Sequence, residues 1–300
     1  MAAFRHKTGV FHKTGVFHKI RVFFEMIKFE HTLFALPFAY LSTFLAARGL
    51  PPASKFFWIT LAMVGARTAA MSLNRVIDRH FDSRNPRTAR RALPAGLIRV
   101  RDVYLYIVLS FLLLGFSAYQ LNMLAFCLMP VAVFILVLYS FTKRFTWACH
   151  FVVGLSLGMA PLGAWIGVTG QFALAPILLC LGVTVWVAGF DLVYSCQDVE
   201  IDRKEGLFSI PAKFGIKRAL EVSTGLHILA PIFFVAVGVI MALSWLYYAG
   251  VAVAIVLLYR QHRLVSARDL SRVGVAFFDL NGYLSCLLFA FTLLDLFILG

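Results

Sequence analysis

Apolar runs of about 20 residues recur along almost the whole chain, and this recurrence decides what it can fold into. They fall near residues 29–47, 55–77, 102–119, 123–142, 147–168, 172–196, 219–240, 242–259 and 275–299. A run of that length matches the roughly 30 Å hydrocarbon core of a bilayer when coiled as a helix. Hydrophobic residues make up 61% of the 300 and charged residues 14%, which excludes an ordinary soluble domain. The expected fold is therefore all-α: a multi-span membrane helical bundle with about nine transmembrane helices around a central cavity. Residues 26–300 form one membrane domain, preceded by a basic tail over residues 1–25.

The net charge of +14 would point to nucleic acid in a soluble protein, but here the placement of the charges governs. Apart from Arg48, Lys55, Arg67 and Arg75, the 28 Lys and Arg residues lie in the N-terminus and in every second loop. That asymmetry predicts an N-terminus on the cytoplasmic side, with the loops after residues 77 and 196 on the same side. Those loops suit an anionic leaflet and anionic substrates. The predicted location is a bacterial cytoplasmic (inner) membrane with the functional site facing the cytoplasm.

In the tail, His6-Lys7-Thr8-Gly9-Val10-Phe11 recurs as His12 to Phe17, and His18-Lys19 begins a third copy. The repeat is too short for a solenoid, and the tail has no apolar signal-peptide core. It reads as a basic segment on the membrane surface, in preference to a metal-binding histidine tract. The five Cys residues contain no CxxC pair and read as reduced thiols in apolar surroundings.

Two of the apolar runs end in matched acidic stretches. The first is Asn74-Arg75-Val76-Ile77-Asp78-Arg79-His80-Phe81-Asp82, and the second is Tyr194-Ser195-Cys196-Gln197-Asp198-Val199-Glu200-Ile201-Asp202. Each sets a polar residue and two Asp at i, i+4 and i+8, one face of a helix. A single Asp at a helix end usually caps the helix or pairs with a neighbouring Arg. Two matched pairs, each followed by a basic loop, favour a shared site and suggest two related halves around it. Four bare carboxylates around one cavity would repel by several kcal/mol per pair in a partly dry site. Mg²⁺ bound by one or two carboxylates and by phosphate oxygens relieves that repulsion. The metal-ligand candidates are Asn74, Asp78, Asp82, Asp198 and Asp202. Arg67, Arg87, Arg91, Lys143 and Arg144 are candidates for the outer phosphate oxygens.

A metal-held diphosphate is a good leaving group. If its carbon is allylic, departure leaves a carbocation that needs a dry pocket and gains from aromatic faces. Tyr139, one turn before Lys143, and Tyr194, one turn before Asp198, are the cation-facing candidates. Asp191 is a carboxylate inside an apolar segment. It reads equally as a catalytic group or as a packing hydrogen-bond partner.

These residues resemble the UbiA superfamily of intramembrane prenyltransferases. Asn74, Asp78 and Asp82, then Arg87-Thr88 and Arg91-Ala92-Leu93-Pro94-Ala95-Gly96, match its first motif. Asp191, Tyr194, Asp198 and Asp202 match its second. Arg67 upstream of the first motif and the pair Tyr139 and Lys143 fit as well, so the resemblance covers about residues 25–298. It implies Mg²⁺ and diphosphate on Asn74 and the four motif aspartates, with Arg67 and Lys143 on the diphosphate. It implies that Asp191 orients or deprotonates an aromatic acceptor. The stretch from Gln197 to Pro211 and the entry from Phe29 to Pro37 resemble the 4-hydroxybenzoate branch, and more narrowly its relatives that prenylate a dihydroxynaphthoate on the futalosine route to menaquinone. Ubiquinone-type members often carry Arg-x-Asp-Lys-Pro where this chain has Lys28-Phe29-Glu30-His31-Thr32. Lys28 or Arg144 is then the expected partner of an acceptor carboxylate.

The expected function is Mg²⁺-dependent transfer of a polyprenyl group from polyprenyl diphosphate to a hydroxylated aromatic acid in quinone biosynthesis, at the lipid bilayer and without nucleic acid. The alternative is a cation-coupled membrane transporter, which also carries intramembrane Asp. Against it, these Asp residues sit at span ends rather than at midplane.

Overall fold

A computed structural model describes residues 16–27 and 32–299; the first repeat copy, the bulk of the tail and Lys28 lie outside the described residues. Thirteen α-helices follow in chain order, and no β-strand occurs among the described residues. The helices that carry the membrane-spanning architecture are α2 (Thr32–Ala47), α3 (Ala53–Ile77), α5 (Val100–Leu121), α6 (Met123–Thr142) and α7 (Cys149–Thr169). To these are added α8 (Leu174–Ser195), α11 (Ile216–Met241), α12 (Trp245–Leu264) and α13 (Leu280–Leu294). Shorter helices punctuate the motif-bearing end: α4 (Arg79–Arg84), α9 (Val199–Lys204) and α10 (Ile210–Phe214). An amphipathic α1 (Val16–Ile27) precedes them.

Each of the nine expected apolar segments contains a helix within its described residues, but among the described residues only seven helices are long and apolar enough to cross a bilayer. The other two fall short for different reasons. The 16 residues of α2 span only about 24 Å. In α12 the polar end Arg260-Gln261-His262 continues the helix beyond the expected limit of residue 259. Its opposite end follows a tight turn through Ala242, whose φ of 54° is left-handed. There a buried Asp295 accepts hydrogen bonds from the Ser244 and Tyr247 amides at 2.9 and 3.1 Å, capping α12 from the far end of the chain.

The most enclosed helix is α8. Apart from the polar face that carries Asp191 to the cavity it is largely apolar, and Trp186, Val187, Ala188, Phe190, Leu192 and Val193 are all buried. It can be approached closely because α7 presents glycine towards it. A Cβ on Gly154 would lie 2.2 Å from the Thr184 carbonyl oxygen, and one on Gly158 2.6 Å from that of Cys180. Without an aqueous driving force in lipid, such backbone approach is what packs membrane helices. By contrast, α5 and α6 turn Val108, Leu112, Phe116, Val131 and Phe134 outward, as a lipid-facing surface requires.

At the motif-bearing end, α1 buries Val22, Met26 and Ile27 against Ala92, Leu93, Val103 and Ile107, and leaves the Arg21–Glu25 pair exposed. The buried Arg75 ties it down through a hydrogen bond from Nε to the Met26 carbonyl at 3.3 Å.

Candidate active site

The expected continuous helical face does not persist through either acidic motif. The α3 helix stops at Asp78, whose φ of −89° and ψ of 4° leave the helical region, and α4 starts at Arg79. In the second motif, α8 tightens into a 3₁₀ turn over Cys196–Asp198. It breaks at Asp198, with φ −103° and ψ 4°, before α9 begins. Each motif therefore splits. Asn74, Asp78 and Asp198 line a common cavity, while Asp82 and Asp202 lie behind its wall, both buried.

The cavity encloses about 460 Å³. One face of α3 runs along it, from Ile59 through Ala62, Ala66 and Ala70 to Asp78. That is about 28 Å at the helical rise. At the motif end it is polar, with Asn74, Asp78, Arg91, Lys143, Asp191, Tyr194 and Asp198. Towards the other end it is lined by Ile59, Met63, Leu121, Leu128 and Ile166. Arg67 and Tyr139 also line it, and the Tyr139 hydroxyl donates to the Ala70 carbonyl at 3.0 Å.

Every motif aspartate has a basic partner. Arg144 approaches Asp78 at 3.3 Å while also donating to the Ile77 carbonyl, and Asn74 Nδ2 donates to Asp78 at 2.7 Å. Burial, reinforced by nearby Asp82, pushes the Asp78 carboxyl up to about 6 in spite of Arg144, Lys143 and the Asn74 hydrogen bond. Arg91 Nη1 reaches both Asp82 oxygens, at 2.7 and 2.9 Å, with Arg75 4.0 Å away. Lys143 Nζ lies 3.0 and 3.2 Å from the Asp202 oxygens. Burial opposes the Lys143 charge, but Asp202 and Asp198 outweigh it and hold its ammonium above the usual lysine range. Arg87 grips Asp198 with Nε at 3.1 Å and Nη2 at 2.6 Å. Its Nη1 donates to the Tyr194 hydroxyl at 2.6 Å, and the guanidinium lies over the Tyr194 ring. Tyr194 itself packs on Phe277 with centroids 4.2 Å apart. The loop after the first motif thus closes onto the second.

Several participants carried no sequence signal that singled them out. Asn85 donates to Asp198 at 2.9 Å, and Ser209 donates to Asp202 at 2.9 Å while capping α10. The position of Ser209 two residues before Pro211, at a helix start, was the available clue. His150 bonds Asp191 at 2.7 Å across 41 residues, with nothing in the spacing to announce it.

The donor set suits Mg²⁺: carboxylates and an amide oxygen are hard ligands. Among the described residues no three His, Cys, Asp or Glu side chains converge on one point.

A hollow with a charged head and a long apolar tail, set among membrane helices, is the geometry of a site for amphiphilic ligands inside an integral membrane protein. The UbiA prenyltransferase family model matches residues 35–287. A 4-hydroxybenzoate octaprenyltransferase from Aliivibrio fischeri is 30% identical over 251 residues, 82% of this chain and 85% of the relative. A UbiA homologue from Aeropyrum pernix superposes with a TM-score of 0.81 at 31% identity, covering 89% of this chain and 98% of that one. An Archaeoglobus fulgidus homologue, solved bound to GPP and Mg²⁺, shares the fold at TM-score 0.73 and 19% identity, over 92% of this chain and 99% of that one. The chain belongs to the UbiA prenyltransferase family, and it is a membrane-embedded prenyltransferase. The transporter alternative is thereby set aside.

Proposed function

We propose that this prenyltransferase moves a polyprenyl group from polyprenyl diphosphate to a hydroxylated aromatic acid, 4-hydroxybenzoate or a dihydroxynaphthoate, in ubiquinone or menaquinone biosynthesis. One observation carries the reading. Asp78 and Asp198, from two separate helix breaks, border the polar end of a single cavity whose remaining length is apolar. The curated relatives named 4-hydroxybenzoate octaprenyltransferase, and the homologue solved with GPP and Mg²⁺, support it.

In this reading the diphosphate lies at the polar end with Mg²⁺, which supplies Lewis-acid charge on the leaving group when bound. Asn74, Asp78 and Asp198 offer ligands directly, and Asp82 and Asp202 back them through Arg91 and Lys143. Arg67, Lys143 and Arg91 meet phosphate oxygens from the wall, with Arg87 and Arg144 behind them. The prenyl tail fills the apolar length. The C1–O bond breaks with its electron pair leaving on diphosphate. Tyr139 and Tyr194, with the aromatic wall beside them, shelter the allylic cation. The ring carbon beside the phenolic oxygen attacks C1, and the proton on that carbon is lost, restoring aromaticity. Asp191, on the cavity wall, orients the acceptor or takes the proton. Arg144, or Lys28 outside the described residues, meets the acceptor carboxylate. The site faces the cytoplasm of a bacterial inner membrane, where its basic loops meet an anionic leaflet.

Membranes bearing the protein are incubated with labelled polyprenyl diphosphate and each acid, with and without Mg²⁺, and the product is identified by mass. Transfer that needs Mg²⁺ and disappears in Asp78→Ala and Asp198→Ala is expected. Full transfer by either variant, or transfer to neither acid by the unaltered protein, would overturn the proposal.

A further inference from the structure

The side chain behind Asp191 has no part in the reading so far. His150 opens α7, is completely enclosed, and cannot itself touch a substrate. Its Nδ1 lies 2.7 Å from Asp191 Oδ2, and its Nε2 faces the backbone amide of Ile210 at 3.3 Å. An amide N–H can only donate, so Nε2 carries the lone pair and Nδ1 carries the hydrogen. The imidazole is thus fixed as the tautomer that donates to Asp191. Asp191 keeps a quarter of its side chain exposed and lines the cavity, so one oxygen is anchored while the other is free to face a ligand.

The segment that sets this tautomer is also bonded to the diphosphate end. The Phe208 amide donates to the Lys143 carbonyl at 2.6 Å, and Ser209 Oγ donates to Asp202 at 2.9 Å. Three consecutive residues, Phe208 to Ile210, therefore touch Lys143, Asp202 and His150 in turn.

We propose that His150 is a positioning residue: held in one tautomer by the Ile210 amide, it aims the Asp191 carboxylate at the acceptor and ties its placement to the Lys143–Asp202 pair. This rests on the reading of Asp191 as the group that orients or deprotonates the acceptor. Its consequence is selective. Ionisation of the prenyl diphosphate does not need Asp191, whereas capture of the cation by the aromatic ring does. A misaimed Asp191 leaves the cation to water, so prenyl alcohol forms where prenylated acid should.

The test measures both products, together with the KM for prenyl diphosphate, in His150→Leu, His150→Gln, Asp191→Asn and the Asp191→Asn/His150→Leu double variant. Leu keeps the volume and removes both polar contacts. Gln offers one donor end and one acceptor end, so it can serve Asp191 and Ile210 together. For His150→Leu the prenylated acid should fall by about 100-fold, the order seen when a reacting geometry is misplaced by 1 Å. The alcohol should rise to take up the lost flux, so that the sum of the two products and the KM for prenyl diphosphate stay within about twofold. His150→Gln should recover most of the lost transfer, and the double variant should be no worse than Asp191→Asn. A parallel fall of acid and alcohol in His150→Leu would mark a merely structural role and defeat the proposal. So would full additivity in the double variant, or unchanged transfer in Asp191→Asn. Absence of prenylated acid from the unaltered enzyme would instead defeat the parent reading, and this one with it.

Discussion

Replacing Arg87 by Lys keeps the charge and tests whether geometry matters at the junction of the two motifs. Arg87 makes two hydrogen bonds to Asp198, one to the Tyr194 hydroxyl, and a cation–ring contact with Tyr194. An ammonium can keep one of these contacts but cannot reproduce the fork. A hydrogen bond to a charged group contributes about 1.5–3 kcal/mol. The Arg87 side chain is 31% exposed, so solvent screening takes a share of each lost bond. Two lost bonds after that discount leave about 2–3 kcal/mol, or roughly a 30- to 150-fold loss in kcat/KM if it falls on the transition state. The assay is steady-state transfer with prenyl diphosphate varied at saturating acceptor, then the reverse. The loss should appear against prenyl diphosphate, with the acceptor KM unchanged. A change under about threefold, near 0.6 kcal/mol, would show that the Arg87–Asp198 fork does not shape the site. A loss confined to the acceptor would show that it shapes the wrong end.

Because the Asp78 carboxyl is raised to about 6, it is protonated below that pH in the metal-free protein and ionised above it; Mg²⁺ affinity should fall as pH drops from 7 to 5, and Asp78→Asn should remove most of that dependence in Mg²⁺ titrations. Asp295→Ala strands the part-buried Ser244 amide and the buried Tyr247 amide at the start of α12; at about 1–3 kcal/mol for the buried donor, the melting temperature in detergent should drop by a few degrees with room-temperature transfer intact, and an unchanged melting curve would refute the capping role. Gly158→Leu drives a side chain into the Cys180 carbonyl and the Thr184 hydroxyl; it should prevent recovery of monodisperse protein, whereas Gly163→Ala, which meets open space, should be tolerated.

Much of this architecture is legible in the sequence because a bilayer asks little of a span beyond length and apolarity. The runs ending at Ile77 and Ser195 were visible for that reason, and so were the acidic stretches following them. What the spacing hid was the backbone itself. An i, i+4, i+8 pattern assumes an unbroken helix, but Asp78 and Asp198 sit where ψ approaches zero, and tertiary closure of the loops decides that. Arg87 and Asn85 pull on Asp198 from more than a hundred residues away. The His150–Asp191 bond and the Asp295 cap are likewise long-range, and no local rule reports a partner on another helix. The α12 helix runs on to Leu264, past the apolar span expected to end at residue 259, because Arg and its polar neighbours can continue a helix beyond the apolar zone.

The splitting of each acidic motif leaves charges of both signs at the polar end of the cavity. Asp82 and Asp202, buried behind the lining, hold Arg91 and Lys143, which share that lining with Asp78 and Asp198. A lining of mixed sign has little attraction for a lone cation or a lone anion, since each meets as much repulsion as welcome. On the proposed function, such a lining suits a guest that carries both signs at once, a metal–diphosphate pair rather than either ion alone.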